Sequence, residues 1–252
     1  GQVRNLGVNN LTINGRYYVG GLVGLNSSGF IASCYVSGTI EGASYVGGLV
    51  GSLSSGTVTD SCSMGSVTST SSLTYLPCNN SYSIAGGLVG SQSSGAISRC
   101  YSEGLVSSST PPYSGNRFIG YLPCAGGLVG VSDGSISDSY STGSVTTSTG
   151  VSTLSHNYAC YSDTGGLVGN QSAAGVISNC YSTGIVSSSS FVGINSSSYV
   201  GGLIGRSTGS ITSCFWDIQT SGLTDGVGNI GLENSVTGFD TATMQTLTTF
   251  TY

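Results

Sequence analysis

The sequence has few charged residues, and this scarcity excludes several classes of function. Only 6% of its 252 residues are charged, against roughly a quarter in an average soluble domain. Lysine is absent, and five arginines stand against ten acidic residues, which gives a net charge of −5. A nucleic-acid-binding surface needs a basic stripe. We therefore expect no nucleic-acid partner.

Long apolar runs and catalytic side chains are also missing. No run approaches the ~18 apolar residues of a membrane-spanning helix, so we expect no membrane span in this chain. The sequence starts with Gly1 and shows no signal peptide, so we expect a mature or excised segment. His156 is the only histidine and has no visible Ser and Asp partners for a triad. We predict no catalytic residues, no metal site and no cofactor.

Glycine and small hydroxyl residues take the place of charge. The sequence has 42 glycines, 50 serines and 26 threonines. Hydrophobic residues still make up 38% of the chain and follow a regular pattern, which argues against disorder.

A Gly-Gly-Leu motif recurs six times, in contexts such as YVGGLVG (residues 45–51) and IAGGLVG (residues 84–90). A period of 27 to 40 residues separates the first glycines of these motifs, which are Gly20, Gly47, Gly86, Gly126, Gly165 and Gly201. Such a period indicates a solenoid or another repeat array. Each unit holds three short β-branched segments bounded by Gly or Ser, which predict strands and turns. Helical periodicity is found only near Thr241–Leu247.

The prediction is an all-β fold, a β-solenoid (β-helix) of about six rungs with three short strands per rung. One apolar side chain from each strand should stack into an inward column, because a single unit cannot bury its apolar side alone. The predicted columns are Leu22, Leu49, Leu88, Leu128, Leu167 and Leu203; Ile31, Val58, Ile97, Ile136, Ile177 and Ile211; and Ile40, Val67, Val106, Val145 and Val186. The paired glycines should permit tight corners and backbone conformations closed to other residues.

Two parts of the chain follow from this pattern. Residues 1–215 hold the repeats, with a partial first rung at residues 1–17, and residues 216–252 form a C-terminal capping segment. The capping segment breaks the repeat, contains the only tryptophan and should cover an open edge of the solenoid. Ser-rich insertions before the later Gly-Gly-Leu motifs should form loops on one lateral edge.

These units resemble the GLUG repeat of secreted and surface proteins of bacteria and archaea, including adhesin-like proteins and the amino-terminal regions of IgA-specific metallopeptidases. The resemblance is carried by the six GGL[VI]G motifs, by YYVGGLVG preceded by VRNLGVNNLTING, and by the closing CFWDIQTSG. It implies a stalk-like or surface role, with no catalytic residue in the repeat. The zinc motif of those peptidases, H-E-x-x-H, is absent.

Eight cysteines fit an oxidising extracellular compartment. One column of the second strand carries cysteine in four units, with serine in the units between: Cys34, Ser61, Cys100, Ser139, Cys180 and Cys214. Stacked residues of adjacent rungs lie about 4.8 Å apart, within the Cα range of a disulfide. The preferred candidate disulfide is Cys180–Cys214, and Cys78–Cys124 is next. The alternative is that these thiols are simply buried.

Small hydroxyl side chains flank the inward residue of the second strand. They predict a candidate binding face made of Thr57, Thr59, Ser98, Ser135, Ser137, Ser178, Ser210 and Thr212. Similar pairs line the third strand, beginning with Thr68 and Thr70. The alternative is that Ser and Thr merely populate the exposed side of a sheet with little charge.

Two functions remain open at this point. The first hypothesis is a non-enzymatic extracellular module with a cell-surface, adhesion or structural role. Its partner would be a surface ligand or glycan, or copies of the same chain stacked end to end. The second hypothesis is an ice-binding protein, in which a flat Ser/Thr ladder orders water at the surface of ice.

Overall fold

The computed structural model describes residues 1–71, 81–111, 121–150, 161–189, 197–229 and 236–246. It confirms the all-β solenoid, because every strand pairs in parallel with its equivalent in the next rung, for example Val58 with Ile97 and Ile97 with Ile136. Each rung passes in turn through four parallel sheets, which we name A to D.

Sheet A contains the second predicted strand of each unit. Successive side chains of a strand point to opposite faces, so the middle residue of each three-residue strand points into the core. Its seven strands are β1 (Gln2–Arg4), β5 (Phe30–Ala32), β9 (Thr57–Thr59), β14 (Ala96–Ser98), β19 (Ser135–Ser137), β24 (Val176–Ser178) and β29 (Ser210–Thr212).

Sheet B contains the third predicted strand together with the segment that precedes it. In most rungs a glycine divides this path into two strands; a Cβ at Gly104 would overlap the carbonyl oxygen of Gly65 in the rung below. Its twelve strands are β2 (Gly7–Asn14), β6 (Tyr35–Gly42), β10 (Cys62–Ser63), β11 (Ser66–Thr70), β15 (Tyr101–Ser102), β16 (Val106–Thr110), β20 (Tyr140–Ser141), β21 (Val145–Thr149), β25 (Tyr181–Ser182), β26 (Val186–Ser189), β30 (Cys214–Asp217) and β31 (Val236–Phe239).

Sheets C and D divide the Gly-Gly-Leu segment between them, so a rung passes through four sheets where the sequence predicted three strands. Every strand of sheet C ends at the first glycine, and every strand of sheet D begins after the leucine. Sheet C has β3 (Tyr17–Gly20), β7 (Ser44–Gly47), β12 (Ser81–Gly86), β17 (Tyr121–Gly126), β22 (Tyr161–Gly165) and β27 (Ser197–Gly201). Sheet D has β4 (Val23–Asn26), β8 (Val50–Leu53), β13 (Val89–Gln92), β18 (Val129–Ser132), β23 (Val168–Gln171) and β28 (Ile204–Ser207).

The paired glycines are required by lack of space and not by their φ angles. A Cβ at Gly126 would overlap the carbonyl oxygen of Val129, and one at Gly127 would overlap the carbonyl oxygen of Gly166 and Oγ of Ser141. None of the six pairs lies in the left-handed region, which corrects the prediction of conformations closed to other residues. Left-handed φ angles of 50–53° occur instead at the residue after each sheet A strand: Asn5, Ser33, Asp60, Arg99, Asp138, Asn179 and Ser213.

The three predicted inward columns are buried, and they divide between two cores. The leucine column and the sheet A column share the larger core with Cys34, Cys100, Cys180 and Cys214. The third column packs against sheet C in a second, smaller core that includes Val46, Ala85 and Ala125. Leu22 is only partly buried because it lies in the first rung.

A layer of hydroxyl groups is buried beside the smaller core, which the sequence did not predict. Ser69 and Ser108 of sheet B each lie 3.0 Å, Oγ to Oγ, from Ser83 of sheet C. Two rungs further on, Thr147 Oγ1 lies 2.8 Å from Ser162 Oγ. Buried polar groups are tolerated when they are hydrogen-bonded, so these pairs hold sheets B and C together without charge.

The chain leaves the repeat after Trp216. The helix α1 (Ile218–Ser221) is N-capped by Asp217. Leu203 N donates to Gly226 O at 2.9 Å over the last corner, and β31 adds a strand to β30. A last helix is α2 (Thr241–Met244). Neither helix has the length and apolar content of a membrane span, and no other helix is found among the described residues.

Candidate functional site

The predicted binding face lies on the outer side of sheet A, where its eight residues form two columns. One column contains Thr57, Ser135 and Ser210, but Ala96 and Val176 interrupt it. The register therefore brings the predicted residues onto one surface without giving an unbroken row of hydroxyls in this column.

The other column of sheet A contains Thr59, Ser98, Ser137, Ser178 and Thr212. Thr59 is only 6% exposed, and its Oγ1 accepts a hydrogen bond of 2.8 Å from Nη2 of Arg99. Arg99 also forms a 2.7 Å ion pair with Asp60. Its hydrogen bond to the carboxylate lowers the pKa of Asp60. Charged groups thus border this column, and the hydroxyl group of Thr59 is already hydrogen-bonded to one of them.

The outer side of sheet B carries a stack of tyrosine rings that the sequence analysis did not single out. We name Tyr101, Tyr140 and Tyr181 the tyrosine ladder. The ring centroids of Tyr101 and Tyr140 are 5.0 Å apart with an interplanar angle of 3°, and those of Tyr140 and Tyr181 are 4.9 Å apart at 6°. The rings face each other, so they present their edges outward. The signal in the sequence was tyrosine at the same position of three successive units.

The phenol groups of the ladder are neutral at physiological pH. A side-chain hydrogen bond with Cys62 raises the pKa of Tyr101 to about 12. Burial raises the pKa of Tyr181 to about 12. Burial also raises the pKa of Tyr140. A neutral phenol both donates and accepts a hydrogen bond.

Beside the ladder, the outer side of the third strands forms an unbroken array of hydroxyl side chains. We name it the hydroxyl grid: Thr68, Thr70, Ser107, Ser109, Thr146, Ser148, Ser187 and Ser189. Direct register pairs connect four successive strands, β11, β16, β21 and β26. The eight positions are all Ser or Thr and all partly or fully exposed. The grid therefore has the regularity that the sheet A face lacks.

One complete rung corresponds to one match of a protein-family model. The model of the GLUG motif matches residues 15–41, 122–146 and 161–187, and each match runs from sheet C through sheets D and A into sheet B. These three units are GLUG repeats. No curated protein and no solved structure matches the chain.

The units that contain Gly47, Gly86 and Gly201 lie outside the matched residues but follow the same order of strands. Their role in this chain is structural, because each repeat supplies one rung of a parallel β-solenoid. Among the described residues, no group of three or more His, Cys, Asp and Glu side chains could hold a metal ion. His156 lies outside the described residues.

A buried carboxylate lies where two repeat units meet. Asp163 is 7% exposed, and Asn170 donates a hydrogen bond to its Oδ2. Arg206 Nε is 3.8 Å from the same oxygen, whereas Oδ1 has no hydrogen-bond partner. Burial raises the pKa of Asp163, and the Asn170 hydrogen bond and the Arg206 charge offset this only in part. The neighbouring Cys124 thiol is also buried, which raises its pKa well above the ordinary value.

The Asp163→Asn variant should melt a few degrees higher than the wild type at neutral pH. The pKa of Asp163 is higher in the folded than in the unfolded chain, so the unfolded chain releases its proton first as the pH rises. The wild type therefore loses stability as the pH rises from the ordinary value of 3.8 through the folded pKa. Thermal unfolding of both proteins at about pH 3 and about pH 7 measures the effect.

The gain should vanish at the lower pH, where the carboxyl is protonated in both states. Asp133→Asn is the control for loss of one negative charge, because Asp133 lies in a partly exposed turn. An Asp163→Asn protein that is no more stable than the wild type at neutral pH would contradict this account of the buried carboxylate.

The structure has the described cysteines as free, buried thiols: Cys34, Cys62, Cys100, Cys124, Cys180 and Cys214. The predicted Cys180–Cys214 disulfide is not formed in it and stays a prediction. Cys78 lies outside the described residues, so the Cys78–Cys124 disulfide also stays a prediction. Cys124 Sγ donates to the carbonyl oxygen of Gly130 at 3.1 Å.

Proposed function

We propose that the chain is a non-enzymatic extracellular binding module that holds a neutral glycan against the outer side of sheet B. The observation that carries the proposal is the combination of the tyrosine ladder with the hydroxyl grid on one sheet. Tyrosine supplies large, rigid, amphipathic contact area, and serine supplies adaptable hydrogen bonds, the pair of properties that dominates antibody binding surfaces.

The periodicity of this surface favours a polymeric ligand. Equivalent hydroxyls recur at the strand spacing of about 4.8 Å along the axis, and the ladder and the grid run parallel to each other. A linear polysaccharide presents hydroxyl groups at regular intervals, so several of its units could bind in the same way on successive rungs. Multiple weak contacts of this kind add up to useful affinity.

The charge of the surface favours a neutral ligand. Glu103, between β15 and β16, is the single carboxylate on this surface. The outward residues of β10–β11, β15–β16, β20–β21 and β25–β26 include no cation. Anionic polymers would find no Arg fork to bind their charged groups. Binding should therefore change little between low salt and about 1 M salt, because there is no ion pair to screen.

Tyr140→Ala tests the proposal on immobilised cellulose, xylan and dextran, with an anionic polysaccharide for comparison. Removing the central ring breaks both ring stacks, so we expect the wild type to bind a neutral polymer and the variant to bind it about 10-fold more weakly. Tyr18→Ala is the matched control, since Tyr18 also stacks on a tyrosine, Tyr45, at 5.3 Å, but on sheet C. Far-UV circular dichroism checks that both variants are folded.

Three results would reject the glycan proposal. They are no binding to any neutral polymer, equal loss of binding in Tyr18→Ala and Tyr140→Ala, and binding that disappears at high salt. Filaments under the electron microscope would instead support the end-to-end stacking predicted from the sequence, which stays a prediction.

A second candidate function is ice binding, and the structure favours a different face for it than the sequence did. The hydroxyl grid is unbroken over four strands, whereas the sheet A face is interrupted by Ala96 and Val176 and bordered by the Asp60–Arg99 ion pair. Freezing-point hysteresis of the wild type, Thr146→Tyr and Ser137→Tyr separates the cases. Loss of hysteresis in Thr146→Tyr alone would assign ice binding to the hydroxyl grid, and loss in Ser137→Tyr alone would assign it to sheet A. Absence of hysteresis in the wild type would reject ice binding.

A further inference from the structure

Two cysteines occupy neighbouring positions at only one place in the buried column between sheets A and B. Tyr181 pairs with Phe215, and Phe215 N donates to the carbonyl oxygen of Cys180 at 3.0 Å, so Cys180 and Cys214 lie in adjacent rungs of one column. Elsewhere in this column a serine separates the cysteines. Cys34 N, for example, donates to Ser61 Oγ at 3.1 Å.

The two side chains lie in neighbouring rungs and make equivalent hydrogen bonds, so they point in the same direction. Each sulfur donates to the carbonyl oxygen two residues before it, Cys180 to Ser178 and Cys214 to Thr212, both at 3.1 Å. Adjacent parallel strands hold equivalent Cα atoms about 4.8 Å apart, within the range of 4.4–6.8 Å that a disulfide spans.

We propose that Cys180 and Cys214 are a modification site. An oxidant that carries a disulfide converts their two thiols into a disulfide, which stabilises the last rung of the solenoid. The thiolate of one cysteine attacks one sulfur of the oxidant's disulfide and releases one thiol. The thiolate of the other cysteine then displaces the second thiol and completes the S–S bond. Two cysteine thiols lose two electrons and two protons, and the oxidant's disulfide is reduced to two thiols.

Burial decides when the oxidant can react with the two thiols. Both thiols are at most 1% exposed, so the oxidant reaches them before the last rung closes, during folding. The thiolate is the form that attacks a disulfide.

The disulfide would stabilise the end of the solenoid. Solenoid stability is approximately a sum of rung and neighbour terms, so a terminal rung with one neighbour opens most easily. The disulfide would close a loop containing residues 181–213, one complete rung. Trp216, two residues beyond Cys214, packs against Gly202 and Gly226 and donates to the carbonyl oxygen of Leu223 at 3.2 Å. The bond would therefore anchor the start of the C-terminal segment as well.

The experiment refolds the full chain in a mixture of reduced and oxidised glutathione and compares it with the same protein in excess reductant. We expect a linked Cys180–Cys214 peptide in a non-reducing digest, and melting about 10 °C higher in the oxidised protein. The fluorescence of Trp216 follows the melting of the last rung, because Trp216 is the only tryptophan.

Cys180→Ser should abolish both the linked peptide and the redox dependence of melting. Cys100→Ser is the matched control and should keep both, because serine already occupies the same column at Ser61 and Ser139. A digest in which Cys180 is unlinked or linked to another cysteine would overturn the proposal. So would a Cys180→Ser protein that keeps the full difference in melting.

Discussion

The Gly127→Ala variant should lose stable folding. The added Cβ would overlap both the carbonyl oxygen of Gly166 in the next rung and Oγ of Ser141 across the core. The first of these is backbone, so relief requires two paired rungs to separate. Overpacking of this kind costs about 3 kcal/mol or more, a large part of the 5–15 kcal/mol that stabilises a typical domain.

The matched control is Gly222→Ala, which separates lack of space from backbone conformation. Gly222 ends α1 with a φ of 72°, and a Cβ there would meet nothing within 4 Å. We expect a cost of about 1 kcal/mol, that of a left-handed conformation for a residue with a side chain. Urea unfolding followed by far-UV circular dichroism measures both variants. Equal and small effects would show that the Gly-Gly corner has room to spare and would contradict its assigned role.

Leu128→Ala should destabilise the solenoid by about 3 kcal/mol. Leu128 is fully buried in the middle of the leucine column, with Leu88 and Leu167 in the rungs on either side. Truncating a buried leucine removes its transfer free energy and leaves a cavity, at a cost of about 2–5 kcal/mol. Denaturant unfolding is again the measurement.

Leu22→Ala removes the same atoms from the same column at its first rung. Because Leu22 is only partly buried, its truncation should cost about 1 kcal/mol or less, in proportion to the smaller area buried. Equal costs at Leu22 and Leu128 would mean that burial does not increase from the end to the middle of the column. A continuous core could not give that result.

The inward columns could be predicted from the sequence because regularly spaced aliphatic residues are buried in the core. Leu88, Ile97 and Val106 recur at fixed positions of their unit, and burial of their apolar area favours stacking. The division of the Gly-Gly-Leu segment into two strands was missed. A paired glycine indicates a bend whether it is required by a left-handed φ angle or by lack of space for a side chain. Only the close packing of Gly127 against Ser141 shows that lack of space is the reason.

Small hydroxyl residues were harder to place. Thr68 and Ser69 are neighbours of similar chemistry, yet Thr68 lies on the grid and Ser69 is buried against Ser83. Alternation predicts that they lie on opposite faces, but a buried serine is tolerated once it is hydrogen-bonded. Composition therefore cannot decide how many hydroxyls are available to a ligand.

The sequence placed the candidate site on sheet A, whereas we propose sheet B, because contacts between side chains of neighbouring rungs distinguish the two surfaces. Alternation predicts that Thr59 and Ser137 lie on the outer side of sheet A. It could not reveal that Arg99, from the next rung, reaches Thr59. The tyrosine ladder also depends on register: a repeated tyrosine becomes a stack only when Tyr101, Tyr140 and Tyr181 are aligned in successive rungs.

The claim on which everything else depends is that successive repeat units stack in register along one axis. Distances between pairs of spin labels on sheet A, attached through ketone-bearing residues that leave the cysteines untouched, test it most directly. Label pairs at Gln2 and Ser135, four strands apart, and at Gln2 and Ser210, six strands apart, should give mean distances of about 19 and about 29 Å. Equal distances for the two pairs, or a shorter distance for the second, would contradict the stacking.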